Sequence, residues 1–348
     1  MNLLGTERLR RAVRRLRRQF QPTAIILIYH RVVHLPADPY LLAVTPEHFS
    51  EHLEVLRKHY HPMRLDKLVE ALRAGRLPQR AVAVTLDDGY YDCLHHARPL
   101  FERHDTPATV FVVSGRVADG RAFWWDELES LLLQAGELPG SLRLRINGEP
   151  LTWDLGEVAH YSREQQSFYR AWNYEMKDAP TGRQQIFREL WQRLHALPEA
   201  PREAVLAQLF AWAGVERRAA ASHRTLTPEE VPRLAEGVLV EIGAHTVTHP
   251  SLSKLALAAQ QQQIERGKAD LEQLLGQPVV SFSYPHGQRV DFTEETATLV
   301  ERAGFAGACA AYAGATTRET NRFQLPRNSV PDCDGEQFAR RMAELFAA

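Results

Sequence analysis

The strongest constraint on the fold is a rhythm of short, wholly apolar runs separated by helix-length stretches. Ala24-Ile25-Ile26-Leu27-Ile28-Tyr29, Ala81-Val82-Ala83-Val84, Ala108-Thr109-Val110-Phe111-Val112-Val113 and Val238-Leu239-Val240-Glu241-Ile242 are too short for buried helices. They are also too continuous for strands with one wet face, so they read as strands covered on both sides, the habit of parallel sheets. Helix signals lie between them. Thr45-Pro46 supplies an N-cap and a proline at the first helical position, and Phe49, Leu53 and Leu56 follow as an apolar face. Leu65 to Arg73 and Tyr91 to His104 read as further helices. Thr227-Pro228-Glu229-Glu230 has the form of a capping box. Strand, helix, strand in this order implies parallel strands with helical crossovers. Val279 to Ser283 and Phe305 to Ala310 continue the series to six or seven strands, which suits a barrel or an open α/β sheet.

The rhythm breaks after Phe123-Trp124-Trp125-Asp126. Leu142 to Ile146, Asn147-Gly148 and Pro150 to Leu155 read as a hairpin with a favoured two-residue turn. Ser162 to Gly214 reads as helical throughout. Residues 127–223 are therefore expected to be a largely helical insertion or lid on a main domain at 23–348, preceded by a basic helix at 1–22. That helix places Leu9, Val13, Leu16 and Phe20 on one side, and the stretch Arg8 to Arg18 holds seven arginines and no acid. Such a segment either packs its leucines on the body or rests on an anionic membrane surface.

The net charge of −1 gives no global field for nucleic acid, so none is expected as a partner. Cys93, Cys309 and Cys333 are too scattered for a disulfide framework or a CxxC metal site, which points to a reducing compartment. With no apolar stretch of signal-peptide length behind the arginines, the expected location is the cytoplasm, with the inner membrane face as the alternative implied by the basic helix.

In either architecture, function collects where strands end. The polar residues there are His30, the pair Asp87-Asp88 before Gly89, the pair His245 and His249, Tyr284 and Arg327. Two adjacent carboxylates repel, and both stay ionised only if a cation or a base role separates their tasks. His245 and His249 stand four apart, so a helical turn would aim both rings the same way. Two imidazoles and a carboxylate make a cation site with open positions, as a hydrolytic metal centre needs. Either motif alone is weak, since fifteen histidines make chance pairs common.

Taken together, Thr85-Leu86-Asp87-Asp88-Gly89, His245-Thr246-Val247-Thr248-His249, Ser283-Tyr284-Pro285-His286-Gly287 and Leu325-Pro326-Arg327 resemble the polysaccharide deacetylase family, the NodB homology domain of carbohydrate esterase family 4. The resemblance runs from Ala24 to about Cys333 outside the insertion. It implies a distorted (β/α)7 barrel that removes N-acetyl groups from N-acetylhexosamine units of a glycan, exopolysaccharide or glycan precursor. It also implies one divalent metal, expected to be Zn2+ with other ions as alternatives, held by Asp88, His245 and His249. Asp87 would be the general base, and the backbone N–H of Tyr284 would help hold the oxyanion. The usual C-terminal acid has no counterpart here except His286. His30 resembles instead the upstream acid of biofilm-polysaccharide deacetylases, so His30 is the expected acid and His286 the second choice. Relatives often carry an arginine before the third motif that holds the aspartate; here Arg327 is expected to supply that charge. Tyr284, Pro285, His286 and Trp125 are the expected substrate contacts, with Asp126 beside them, although consecutive aromatics such as Phe123-Trp124-Trp125 also suit packing of the insertion on the barrel. The alternatives are an amidohydrolase acting on a small non-sugar amide and a carbohydrate-binding member of the fold without turnover.

Overall fold

The computed structural model describes residues 23–217 and 221–347. The expected basic helix at 1–22 lies outside the described residues. Seven parallel staves form the body: β1 (Ala24–Tyr29), β2 (Ala81–Leu86), β3 (Ala108–Val112), β4 (Val240–Ala244), β5 (Ser281–Ser283), β6 (Gly307–Cys309) and β7 (Asn328–Ser329). Their order in the sheet is β6-β5-β4-β3-β2-β1-β7, and a short strand, His61–Pro62, pairs with the start of β2. The ring closes through the segment leading into β7. Leu325 bridges Cys309 of β6, and Asn328 pairs with Leu27 of β1. The distorted (β/α)7 barrel is thus the observed fold.

Strand periodicity sorts the side chains. Ala24 and Ile26 of β1, Ala81 and Ala83 of β2, Phe111, Cys309 and Leu325 form one apolar cluster with Leu65, Leu68, Val69 and Leu72 of the helix Leu65–Arg73. That cluster is the lumen, plugged at the N-terminal end by the helix. The alternate residues Ile25, Leu27, Val82, Val84, Val110 and Ile242 join a second cluster with the outer helices, among them Pro46–His59 and Leu257–Leu275. The lumen is tight. A Cβ on Gly243 would sit 2.4 Å from the Phe111 ring, so only glycine lets Phe111 fill this layer.

The insertion has its own apolar cluster, in which Leu128, Phe187, Leu190, Leu206 and Leu209 are wholly buried. Label its helices α1 (Trp124–Leu132), α2 (Gly182–Ala196) and α3 (Glu199–Ala213). The expected hairpin is present as Ser141–Ile146 paired with Glu149–Asp154, and Asn147 and Gly148 take the positive φ that its turn requires. The helical reading of 162–214 needs correction. A capped helix covers only Arg163–Phe168, and α2 does not begin until Thr181 caps it. Trp172 explains the gap: its indole N–H donates to Asp178 O at 3.1 Å and its ring packs edge-on to Phe187, so the segment folds over α2. The Thr227 capping box exists, but the helix it opens is only Glu230–Leu234. No helix among the described residues is long and apolar enough to cross a membrane.

Candidate active site

The inward phase of each stave carries past its end and assembles the site. Residues 24, 26 and 28 of β1 continue to His30, and 81, 83 and 85 of β2 continue to Asp87. Arg327 follows Leu325 by the same step. Ser283 closes β5, and His245 comes one residue after β4.

Asp87 and Arg327 form a buried, two-pronged pair. The guanidinium donates to the two carboxylate oxygens at 2.6 and 2.7 Å. It also donates to Ala310 O at 2.7 Å, Thr85 Oγ1 at 3.1 Å and Ser283 Oγ at 2.8 Å, so all its donors are used. Ser283 Oγ donates in turn to Asp87 at 3.1 Å. Burial alone would raise the Asp87 pKa; Arg327 and His245 more than offset it and hold it at about 2. Arg327 thus stands where an arginine ahead of the third motif was missing.

Asp88 continues the chain out of phase, and a positive φ of 74° swings it back over the lumen. The histidine pair needs a correction of the same kind. Residues 245–249 are not helical; a loop brings the rings to 4.8 Å between centroids. Thr246 and His249 carry φ of 66° and 61°, and the loop is held by Gln263 Oε1, which accepts from the N–H groups of Val247 and Thr248 at 3.0 Å. Gly267 lets the helix Leu257–Leu275 approach this loop, since a Cβ there would meet Thr246 C at 2.9 Å. Four of the eight described non-glycine residues with positive φ belong to this site: Asp88, Thr246, His249 and His286. Each such conformation costs about 1–3 kcal/mol, and such costs concentrate where function requires them.

Asp88, His245 and His249 bring one ligand atom each to within 4.8 Å of one another, all buried. His245 Nδ1 donates to Ser283 O at 2.7 Å, which fixes the tautomer and leaves Nε2 as a bare lone pair 3.7 Å from Asp88 Oδ1. His249 Nε2 is 3.4 Å from the same oxygen, and that oxygen has no hydrogen-bond donor. Burial, and then the charge of Asp87, push Asp88 well above the usual carboxylate range. An unpartnered buried carboxylate oxygen facing two imidazole nitrogens suits a divalent cation, and Zn2+ among others accepts this donor set. Asp88→Asn or His249→Ala should therefore drop bound divalent metal from roughly one ion per chain to a trace by elemental analysis, with the fold retained by circular dichroism. Full metal content in both variants would refute the assignment.

A cavity of about 250 Å³ opens over this group. His30, Asp87, Asp88, Trp125, His245, His249 and His286 line it. Burial draws His30 down to about 4 despite the opposing charge of Asp87, and burial with neighbouring imidazoles draws His286 to about 3. Trp125 lines the cavity beside His249 and also packs: its N–H donates to Tyr90 Oη and its ring stacks on Phe123 at 4.5 Å. Asp126 turns away from the cavity and accepts from Tyr90 Oη at 2.8 Å. Tyr284 and Pro285 do not line the cavity. The Tyr284 N–H is used in the ladder, donating to Cys309 O at 3.1 Å, and its ring stacks on Phe292 in the core. The oxyanion role expected for that amide is not the one this geometry gives it.

Apart from Trp124, part of the aromatic run 123–125, the remaining wall was not legible in the sequence. Trp124, Tyr174, Trp191 and His195 of the insertion line the cavity, joined by Tyr40 from the loop after β1 and by Gln288. Their motif neighbours carry no strand-end signal, and only the insertion's packing brings them in.

This barrel, with its polar layer at the C-terminal rim, is the fold of glycan deacetylases. It superposes on the Streptococcus pyogenes deacetylase PplD, in complex with acetate, with a TM-score of 0.58 at 16% identity, covering 92% of this chain and 99% of that one. IcaB from Ammonifex degensii gives 0.54 at 18%, covering 92% and 97%. At these identities the likeness establishes the fold. The polysaccharide deacetylase family model matches residues 74–136 and 203–308, leaving out much of the insertion. The chain belongs to the polysaccharide deacetylase family. A curated relative, the poly-beta-1,6-N-acetyl-D-glucosamine N-deacetylase of Escherichia coli (strain K12), is 30% identical over 109 residues, 30% of this chain. The chain spans 16% of the length of that relative.

Proposed function

We propose that this protein is a metal-dependent hydrolase that removes N-acetyl groups from N-acetylhexosamine units of a glycan or glycan precursor. The observation that carries this reading is the Asp88–His245–His249 group set beside the Arg327-clamped Asp87 in one cavity. The E. coli relative, named for N-deacetylation of poly-beta-1,6-N-acetyl-D-glucosamine, supports the substrate class.

Asp88, His245 and His249 would hold the cation, which when bound polarises the acetyl carbonyl and acidifies water. Asp87 accepts a proton from the attacking water. Arg327 fixes the orientation of its carboxylate and keeps it ionised. The departing amine needs a proton, and His30 stands at the cavity on the stave next to Asp87. With its pKa drawn to about 4, His30 is neutral in the resting site, so the proton it passes to the amine is the one that Asp87 has taken from the attacking water.

Acetate release from a metal-loaded sample on oligomers of N-acetylglucosamine tests the reading. Release that stops on chelation and returns with Zn2+ is expected; no release from any N-acetylhexosamine oligomer would overturn it. In His30→Ala the rate should fall by roughly 10²–10⁴ with metal retained. Wild-type rates would remove His30 from the acid role.

A further inference from the structure

Among the described residues, His195 on α2 has no hydrogen-bond partner on either ring nitrogen, although it is half-buried in the cavity wall. Its ring is held by stacking. It lies parallel to Trp191 at 5.0 Å and 14°, and Trp191 stacks on Tyr174 at 4.9 Å. Its other ring neighbours are Trp124 at 6.4 Å and His286, edge-on at 5.3 Å, and His286 lies 4.8 Å from His249. Trp124 and Tyr40 back the slab at 6.3 and 6.5 Å from Trp191. The insertion thus brings an aromatic stack to the cavity wall, with the His195 imidazole at its end, in the same cavity as Asp87. Neither ring nitrogen is buried without a partner, so both are open to solvent, and a ligand hydroxyl would take the place of that water.

We infer that the insertion is part of the substrate site, and that His195 is a specificity-determining residue that binds the sugar unit whose acetyl group faces Asp87 and Asp88. The inference rests on the deacetylase reading. A neutral imidazole offers one donor and one acceptor, the same complement a sugar hydroxyl offers in return. The slab of Tyr174, Trp191 and Tyr40 supplies apolar faces against which the C–H face of a sugar ring packs. The cavity, at about 250 Å³, is smaller than the roughly 300–1,000 Å³ of pockets that enclose drug-sized ligands, so the wall meets a single sugar unit rather than several.

The test compares two substrates of one enzyme. A pentamer of N-acetylglucosamine needs the sugar contacts; 4-nitrophenyl acetate needs only the reacting centre. His195→Ala should lower the ratio of kcat/KM for the pentamer to that for the aryl ester at least tenfold, chiefly through KM for the pentamer. His195→Gln, which keeps a donor and an acceptor, should recover part of the loss, and Trp191→Phe should retain more than Trp191→Ala. An unchanged ratio in His195→Ala, or equal loss on both substrates, overturns the inference while leaving the deacetylase reading intact. A wild-type enzyme inert on the pentamer but active on the ester overturns that reading, and this inference with it.

Discussion

Asp87→Asn should reduce acetate release by roughly 10²–10⁴ while the bound metal stays at its wild-type level. The amide has nearly the shape of the carboxylate and keeps an acceptor for Arg327 and Ser283, but it cannot take a proton from water. The separation of effects matters. Asp87 contacts the metal group only through His245, 3.7 Å away, whereas Asp88 faces both imidazoles. Loss of metal together with rate would mean that the two aspartates share one task. The pH dependence follows from the same pair. Because the Asp87 pKa is held at about 2, against an unfolded value near 3.9, its pairing stabilises the fold fully above about pH 4. That contribution, about 2–3 kcal/mol, is lost as the pH falls through about 2. The Asp87 carboxylate is therefore ionised throughout the neutral range. An acid limb of the rate profile above pH 4 should persist unchanged in position in the residual activity of Asp87→Asn, since it belongs to another group.

Arg327→Met should be the most destabilising single change at the site. It leaves the Asp87 carboxylate buried with only Ser283 to donate to it, and breaking one side of such a buried pair costs about 3–5 kcal/mol. The denaturant midpoint should fall with an unchanged m-value. With the guanidinium gone, burial acts on Asp87 largely unopposed and its pKa rises. The acid limb that belongs to Asp87, which lies at about pH 2 in the wild type, should move up toward neutrality, and raising the pH should recover part of the rate. A lysine is no substitute, because the guanidinium makes five hydrogen bonds in a fixed plane, to Ala310 O, Thr85 Oγ1, Ser283 Oγ and both Asp87 oxygens. If Arg327→Met keeps wild-type stability and pH profile, Arg327 has no role in tuning the base.

The Asp88–His245–His249 group shows how partial a strand-end reading is. Asp88, His245 and His249 stand out in the sequence because carboxylate and imidazole pairs at strand ends have few structural uses. The path by which they meet is a loop, not the helical turn that their spacing suggests. A helical turn was the natural way to align residues four apart, yet the chain uses left-handed backbone at Thr246 and His249, which a β-branched threonine adopts only at a cost. That cost is met by tertiary contacts from Gln263 and by the close approach at Gly267, both on a helix that begins eight residues later. Tyr284 fails for a related reason. Its place in a motif says nothing of whether its N–H is free, and the neighbouring stave already uses it.

The sequence by itself determined a body of parallel buried strands with helical crossovers and the polar residues at the strand ends; the choice of a barrel over an open sheet came from the resemblance of its motifs. Apolar runs of strand length must be buried on both faces, and a two-residue period then carries His30, Asp87 and Arg327 inward from β1, β2 and the closing segment without further information. What only the tertiary structure decided was pairing across the lumen and the shape of the cavity. Arg327 reaches Asp87 across 240 residues of chain because Leu325 and Asn328 close the ring between β6 and β1. Trp191 and His195 enter the site because the insertion's own core fixes α2 against the mouth of the barrel. Local propensity encodes period and burial, but side chains distant in sequence meet only when the whole apolar surface has been put away.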